Sequence, residues 1–352
     1  MLSNCRIIVN IAKPLRNLSI IFPRHKHDRN YSTVKAVVFK ELEKPLEICE
    51  INLPTKLKED EVRIKVHYCC VDSIGSRYKD REGGNFIPGY EIAGEVIEIG
   101  EKVQPATAIV GETVAALSLE NYGGLAQECI VNSTDVFRLP SNVEPQKAAV
   151  LIFAHSTALY AFSRFCNPPP NEKSKFLISC GSAGFGLAAL DIAAGIYKAK
   201  VLGVTNSEER AEIMRNRGAF GALSINEKKF KEQVLKRMGN AEVDVAYDGL
   251  GGEILKKMMS CVKMGGTILS VRDEKDTIIK PPVNTFFSII SLPRLRIQNN
   301  NLYRQVILDT LELADQGVLS PYISSTYKLS EVNDAIDFIK AKKSMGKTLI
   351  EM

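Results

Sequence analysis

The residues whose spacing carries the most chemistry are Cys180-Gly181-Ser182-Ala183-Gly184-Phe185-Gly186, which follow the strand-like run FLIS and lead directly into LAALDIAAGIY. Small residues between a strand and a helix let the backbone approach a pyrophosphate, whose charge is met by free N–H groups at the helix N-terminus. Gly181, Ser182, Ala183, Gly184, Phe185 and Gly186 are therefore the expected dinucleotide-binding turn, and a tight turn without a ligand is the alternative. The fit is G-x-A-x-x-G, with the methyl group of Ala183 where the fingerprint has its middle glycine. The next strand ends in KVLGVTNSEER. A unit that binds NAD places an acid at about this distance to hold the ribose 2′-hydroxyl, and Thr205 stands there instead. Without that carboxylate a 2′-phosphate is not repelled, and Asn206, Ser207 and Arg210 can donate to it, so NADPH is expected over NADH. Arg210 would serve equally well as a solvated helix cation.

The elements that must position this turn change character along the chain. From Val34, short β-rich runs such as VKAVVF, EVRIKVHYCCV, EIAGEVIEIGEKV, ETVAALSL and AQECIVNSTDVFRLP are separated by turn-forming stretches, which predicts a barrel-like β domain. At Glu144 the pattern shifts. PQKAAVLIFAHSTALYAFSRF has apolar residues at helical spacing after a proline start, and FLISC, KVLGVT, FGALSI, VDVAYD and GGTILSV then alternate with helical segments. That alternation predicts a parallel sheet with crossover helices. With 352 residues the chain has room for about two domains.

Charge is unevenly placed. The net +5 of the chain sits wholly before Ser32, where Arg6, Lys13, Arg16, Arg24, Lys26 and Arg29 face one acid, Asp28. The remainder is balanced, which argues against nucleic acid as a partner, and no apolar run reaches the ~18–20 residues of a membrane span. An Arg-rich, acid-poor leader of this kind has the composition of an organelle-targeting peptide, here with a mitochondrial address in the matrix. A disordered basic tail has the same composition. The eight cysteines include no C-x-x-C pair, so a structural zinc site of that spacing is not expected, and they read as reduced thiols.

In their order along the chain, FIPGYEIAGEVIEIGEKV, GGLAQECIV, HSTALYAF, VDVAYDGLGGEILKKMMSCVKMGGTILSV and GKTLIEM resemble segments of the medium-chain dehydrogenase/reductase superfamily, and within it the quinone oxidoreductase branch. The resemblance runs from Val34 to Met352. It implies an α/β chain with a GroES-like barrel built from both chain ends and a Rossmann doubly wound parallel sheet inserted between them. The expected division is a targeting peptide at 1–31, a GroES-like part at 32–153, a Rossmann domain at 154–300 and a returning segment at 301–352. Zinc-dependent relatives carry a Cys and a GHE motif where this chain has Asp72 and Tyr90, so no metal is expected. By the same resemblance Thr157, Asp248 to Leu250, Ser270, Val271 and Lys347 are further cofactor contacts, and Tyr90, Asp72 and Tyr78 are the polar groups nearest the cleft.

Without a Lewis acid to polarise an alcohol, the expected activity is hydride transfer from NADPH to a small electrophilic acceptor, a quinone or an α,β-unsaturated carbonyl. Tyr90 is either a proton donor or a side chain that fills the vacated metal space. A homodimer through Rossmann edge strands is expected. Two rival readings share the fold: a mitochondrial enoyl-thioester reductase, and a non-catalytic NADPH-binding protein.

Overall fold

A computed structural model describes residues 31–41, 44–71, 86–181, 184–271 and 280–352. The basic leader, Asp72, Tyr78, Ser182 and Ala183 lie outside the described residues.

The first half of the chain is β-structure: β1 (Tyr31–Val38), β2 (Glu47–Pro54), β3 (Glu61–Val71), β4 (Glu91–Ile99), β5 (Thr113–Leu117), β6 (Glu128–Asn132) and β7 (Val136–Arg138). Next come α1 (Pro145–Leu151), α2 (Ala154–Phe165), β8 (Lys175–Ser179), α3 (Phe185–Gly195), β9 (Lys200–Thr205), α4 (Glu208–Asn216), β10 (Gly221–Ser224) and α5 (Phe230–Arg237). The chain continues through β11 (Val243–Asp248), α6 (Gly252–Met259), β12 (Val262–Ser270), β13 (Phe286–Ile289), α7 (Leu292–Gln298) and α8 (Asn300–Asp315). It closes with β14 (Ile323–Lys328), α9 (Val332–Lys340) and β15 (Lys347–Glu351).

Two main sheets result, as the alternation of patterns predicts. The parallel sheet runs β10-β9-β8-β11-β12-β13, the doubly wound order. Its inner strands are nearly continuous apolar runs because helices cover both faces: Phe176, Leu177 and Ile178 of β8 are all fully buried. The other sheet runs β14-β15-β3-β4-β5-β7, with β6 paired to β3 and β15 antiparallel to β3. The chain end therefore closes the barrel that its beginning opens.

Three details add to the sequence reading. The helix expected from Pro145 is two helices that bend by 48° between Leu151 and Ala154, and Phe153 at the bend is buried. The break aims Phe153 at the nucleotide turn. Among the described residues no single helix is long and apolar enough to cross a membrane. α8 packs against α7 and α2 beside the parallel sheet, and β14 is the first strand after it to join the barrel sheet. Ser156 of α2 donates to Thr310 of α8 across that contact. Finally, the stretch after Val271 contains the edge strand β13, whose Phe286 is 57% exposed.

A buried polar group fastens the two halves together. Asp135, between β6 and β7, accepts from Arg296 Nε of α7 at 2.6 Å and from the Tyr303 hydroxyl of α8 at 2.9 Å. Burial pushes the Asp135 carboxyl above its ordinary range, and Arg296 and Tyr303 pull it partly back.

Candidate functional site

The nucleotide turn is shaped by space. Gly184 caps α3 with φ +80°, a left-handed conformation suited to glycine, and among the described residues no side chain caps the helix or places an acid in its first turn. Gly186 is needed for a different reason. A Cβ there would lie 2.3 Å from the Ser179 carbonyl oxygen and 2.7 Å from Cys180 Cα, so only glycine lets α3 sit this close to the end of β8. Leu250 leans across the turn from the other side, where a Cβ on Gly181 would come within 2.6 Å of its side chain. An uncapped helix start behind a cradle of glycines is a fitting seat for a dinucleotide pyrophosphate. Burial pushes the Cys180 thiol up to about 12, so it stays protonated and inert beside the turn.

Asp248 builds the wall of this cradle. Its carboxylate accepts from Ser179 Oγ at 2.7 Å and from the backbone N–H groups of Leu250 and Gly251 at 3.1 and 2.8 Å. Ser179 in turn accepts from the Gly249 N–H. The ends of β8 and β11 are thus locked to each other through side chains that sequence spacing alone does not connect.

Lys347, at the start of β15, reaches into the same region from the barrel. Its stem would be 3.3 Å from a Cβ on Gly184, and its ammonium lies 2.5 Å from Glu91 Oε1 of β4. Both side chains are almost fully buried, 4% and 1% exposed. The ammonium also stands 5.9 and 5.7 Å from the ring centres of Phe153 and Phe185, within reach of their π faces.

Beside this pair Tyr90 is 3% exposed and meets Phe153 and Tyr122 edge-on, at 5.2 and 5.7 Å between ring centres. Its ring lies within the apolar core that joins the two halves of the molecule. Among the described residues no group of three or more His, Cys, Asp or Glu is arranged to hold a metal ion.

Comparisons with known proteins place the chain in a family and a fold. Residues 220–350 match the family described as zinc-binding dehydrogenase. Quinone oxidoreductase-like protein 2 of Bos taurus is 30% identical over 335 residues, which cover 92% of this chain and 93% of that relative. The chain belongs to the quinone oxidoreductase-like protein 2 family. This is an oxidoreductase family of the medium-chain dehydrogenase/reductase type. Among solved structures, a probable oxidoreductase from Mycobacterium abscessus superposes with a TM-score of 0.79 at 22% identity, covering 91% of this chain and 99% of the other. Mycobacterial Rv1454c, solved complexed with NADPH, gives a TM-score of 0.78 at 19% identity, over 91% and 100% of the two chains. The matched region 220–350 does not include Asp72 or Tyr90.

The remaining expected contacts fall into two groups. Thr205 ends β9 with its hydroxyl buried and, among the described residues, without a hydrogen-bond partner. Thr157 and Ser270 are buried nearby; the Thr157 hydroxyl donates to the Phe153 carbonyl at 2.6 Å. Arg210 is neither the exposed cation nor the open phosphate donor that the sequence allowed. It is 6% exposed and donates to Asn206 Oδ1 and to the backbone carbonyls of Lys342 and Ser344, while its own N–H donates to the capping hydroxyl of Ser207. Asn206 and Ser207 serve this anchor. The anchor draws the loop before β15, with exposed Lys342 and Lys343, against the start of α4.

Glu91, Phe153 and Tyr122 were not singled out by sequence reasoning. None of the three is marked in the sequence: Glu91 opens the strand EIAGEVIEI, which carries two further acids, Glu95 and Glu98, and alternation sets it on the face opposite the core residues Ile92 and Val96.

Proposed function

We propose that this protein is an NADPH-dependent, zinc-independent reductase that delivers hydride to a quinone or an α,β-unsaturated carbonyl. The observation that carries the reading is Tyr90, clasped edge-on by Phe153 and Tyr122 at the position where zinc-dependent relatives place a ligand histidine. A phenol packed among aromatic rings is a poor metal ligand and cannot activate an alcohol, so the acceptor must be electrophilic already. Bound NADPH supplies the hydride, and solvent supplies the proton that completes the two-electron reduction. The chain contributes the seat: Gly184 and Gly186 admit the pyrophosphate to the α3 N-terminus, and the Lys347 stem lies against Gly184 while Glu91 holds its ammonium.

The test follows NADPH absorbance with purified protein and, in turn, 1,4-naphthoquinone, an enone and an enoyl thioester, with and without a chelator. Turnover of the first two that survives chelation is expected. Preference for the thioester would move the assignment to the rival reductase, and saturable NADPH binding without oxidation would leave a binding protein.

The preference for the 2′-phosphate rests on Thr205 and on the loop that Arg210 draws in. Replacing Lys342 and Lys343 together by Glu is expected to raise the KM for NADPH by about ten- to a hundredfold, the worth of one or two charge-assisted hydrogen bonds. The KM for NADH should hardly move. An unchanged NADPH-to-NADH ratio would remove these lysines from the phosphate site.

β13 is the natural dimer edge. It ends the parallel sheet, and Phe286 and Ile289 on it are 57% and 37% exposed, an unguarded strand of the kind that pairs with another copy. We expect sedimentation equilibrium to give a dimer for the natural chain and a monomer for Phe286→Lys/Ile289→Lys; a monomeric natural chain would refute the assignment.

A further inference from the structure

Six aromatic rings form an unbroken ladder from the barrel to the nucleotide turn: Phe39, Phe86, Tyr122, Tyr90, Phe153 and Phe185. Successive ring centres are 5.1, 6.4, 5.7, 5.2 and 5.7 Å apart, all within the range of favourable aromatic contact. Five of the rings are no more than 9% exposed, and Tyr122 alone keeps intermediate exposure. It is also the one ring that packs against both the barrel core and the core joining the two halves.

The backbone of Tyr122 is unusual as well. Its φ is +60°, in the left-handed region that a bulky side chain rarely enters. The conformation is held from both sides, since its N–H donates to the Ser118 carbonyl and its own carbonyl accepts from Ser118 Oγ and Cys129 Sγ. Strain of this kind persists where surrounding structure enforces it, and it concentrates at sites that bind ligands.

We propose that Tyr122 is the acceptor-recognising residue of the cleft, its partly exposed ring receiving a planar conjugated acceptor by stacking or edge contact. The proposal rests on the reductase reading above and narrows it to aromatic or quinonoid acceptors over small aliphatic enones. Tyr90 and Phe153 fix the ring's distance from Phe185, so an acceptor resting on Tyr122 is held on the barrel side of the turn. Tyr122 is a specificity-determining residue and donates nothing to the chemical step.

Tyr122→Gly removes the ring and relieves the positive φ; the lost contacts with Phe86 and Tyr90 outweigh that relief, so a modest fall in Tm is expected with NADPH affinity kept. It is expected to raise the KM for 1,4-naphthoquinone about tenfold and to weaken binding of 2-naphthol, a planar probe that cannot be reduced, by a similar factor. The Kd for NADPH and the KM for a small aliphatic enone should stay within about twofold, and Tyr122→Phe should behave as the natural chain does. Unchanged naphthoquinone KM and naphthol affinity in Tyr122→Gly would overturn the proposal. So would a joint loss of Tm and NADPH affinity, which would assign the ring to packing. If the natural chain reduces none of the acceptors but its naphthol binding still depends on Tyr122, the reductase reading falls and this site stands.

Discussion

Glu91→Gln is expected to destabilise the protein by about 3–5 kcal/mol, the usual consequence of removing one charge from a buried ion pair. Glu91 and Lys347 are 1% and 4% exposed and their charged atoms are 2.5 Å apart, so the ammonium relies on a carboxylate rather than on bulk water. Replacing both partners is a different perturbation. Glu91→Gln/Lys347→Met removes the charge to be compensated together with its compensator, and most of the lost stability should return. Urea midpoints for the natural chain, both single variants and the double variant complete the cycle. A double variant as unstable as the sum of the singles would show that the two residues act independently. The contrast with Lys102 and Glu59 is instructive: they are also 2.5 Å apart, but 72% and 60% exposed. Water and salt screen that pair, and its removal should leave the midpoint almost unmoved.

This pair also marks where sequence reading stops. The parallel sheet was legible because each strand is buried on both faces and each crossover helix has its own apolar period. The glycine turn was legible because its residues are consecutive, and the doubly wound order follows from that pattern. Glu91 and Lys347 lie 256 positions apart and meet only because β15 returns to pair with β3, next to β4. No local period encodes that closure. Arg210 failed for a related reason: helical position places it on the first turn of α4, but the carbonyls that bury it belong to residues 342 and 344. The strand β13 was missed because an edge strand buries too little to impose an alternation, and the helix break at Phe153 because the apolar run from Leu151 to Ala154 carries no Gly or Pro to mark it. Tyr122 carries no signature at all, since a positive φ is a property of the folded backbone.

Gly186→Ala is expected to abolish high-affinity cofactor binding, with NADPH affinity falling at least about a hundredfold and stability by about 1–3 kcal/mol, the cost of overpacking a close contact. The methyl would enter a gap of 2.3 Å to the Ser179 carbonyl oxygen and 2.7 Å to Cys180 Cα, and both neighbours are backbone. Neither can rotate away as a side chain could. Relief requires α3 to lift from the end of β8, which carries the helix N-terminus away from the phosphate seat and loosens Phe185 against Phe153. Backbone flexibility is not the issue here, because Gly186 does not have a positive φ. Gly111 separates the two effects: its φ is +88° and a Cβ there would meet nothing within 4 Å. Gly111→Ala should therefore lower stability by about 1–2 kcal/mol through backbone strain alone and leave NADPH affinity intact. Thermal unfolding and NADPH titration of the two variants side by side decide the matter. If Gly186→Ala binds NADPH as tightly as Gly111→Ala does, the closeness of α3 to β8 is a feature of packing, and the turn from Gly181 to Gly186 is not the cofactor's seat.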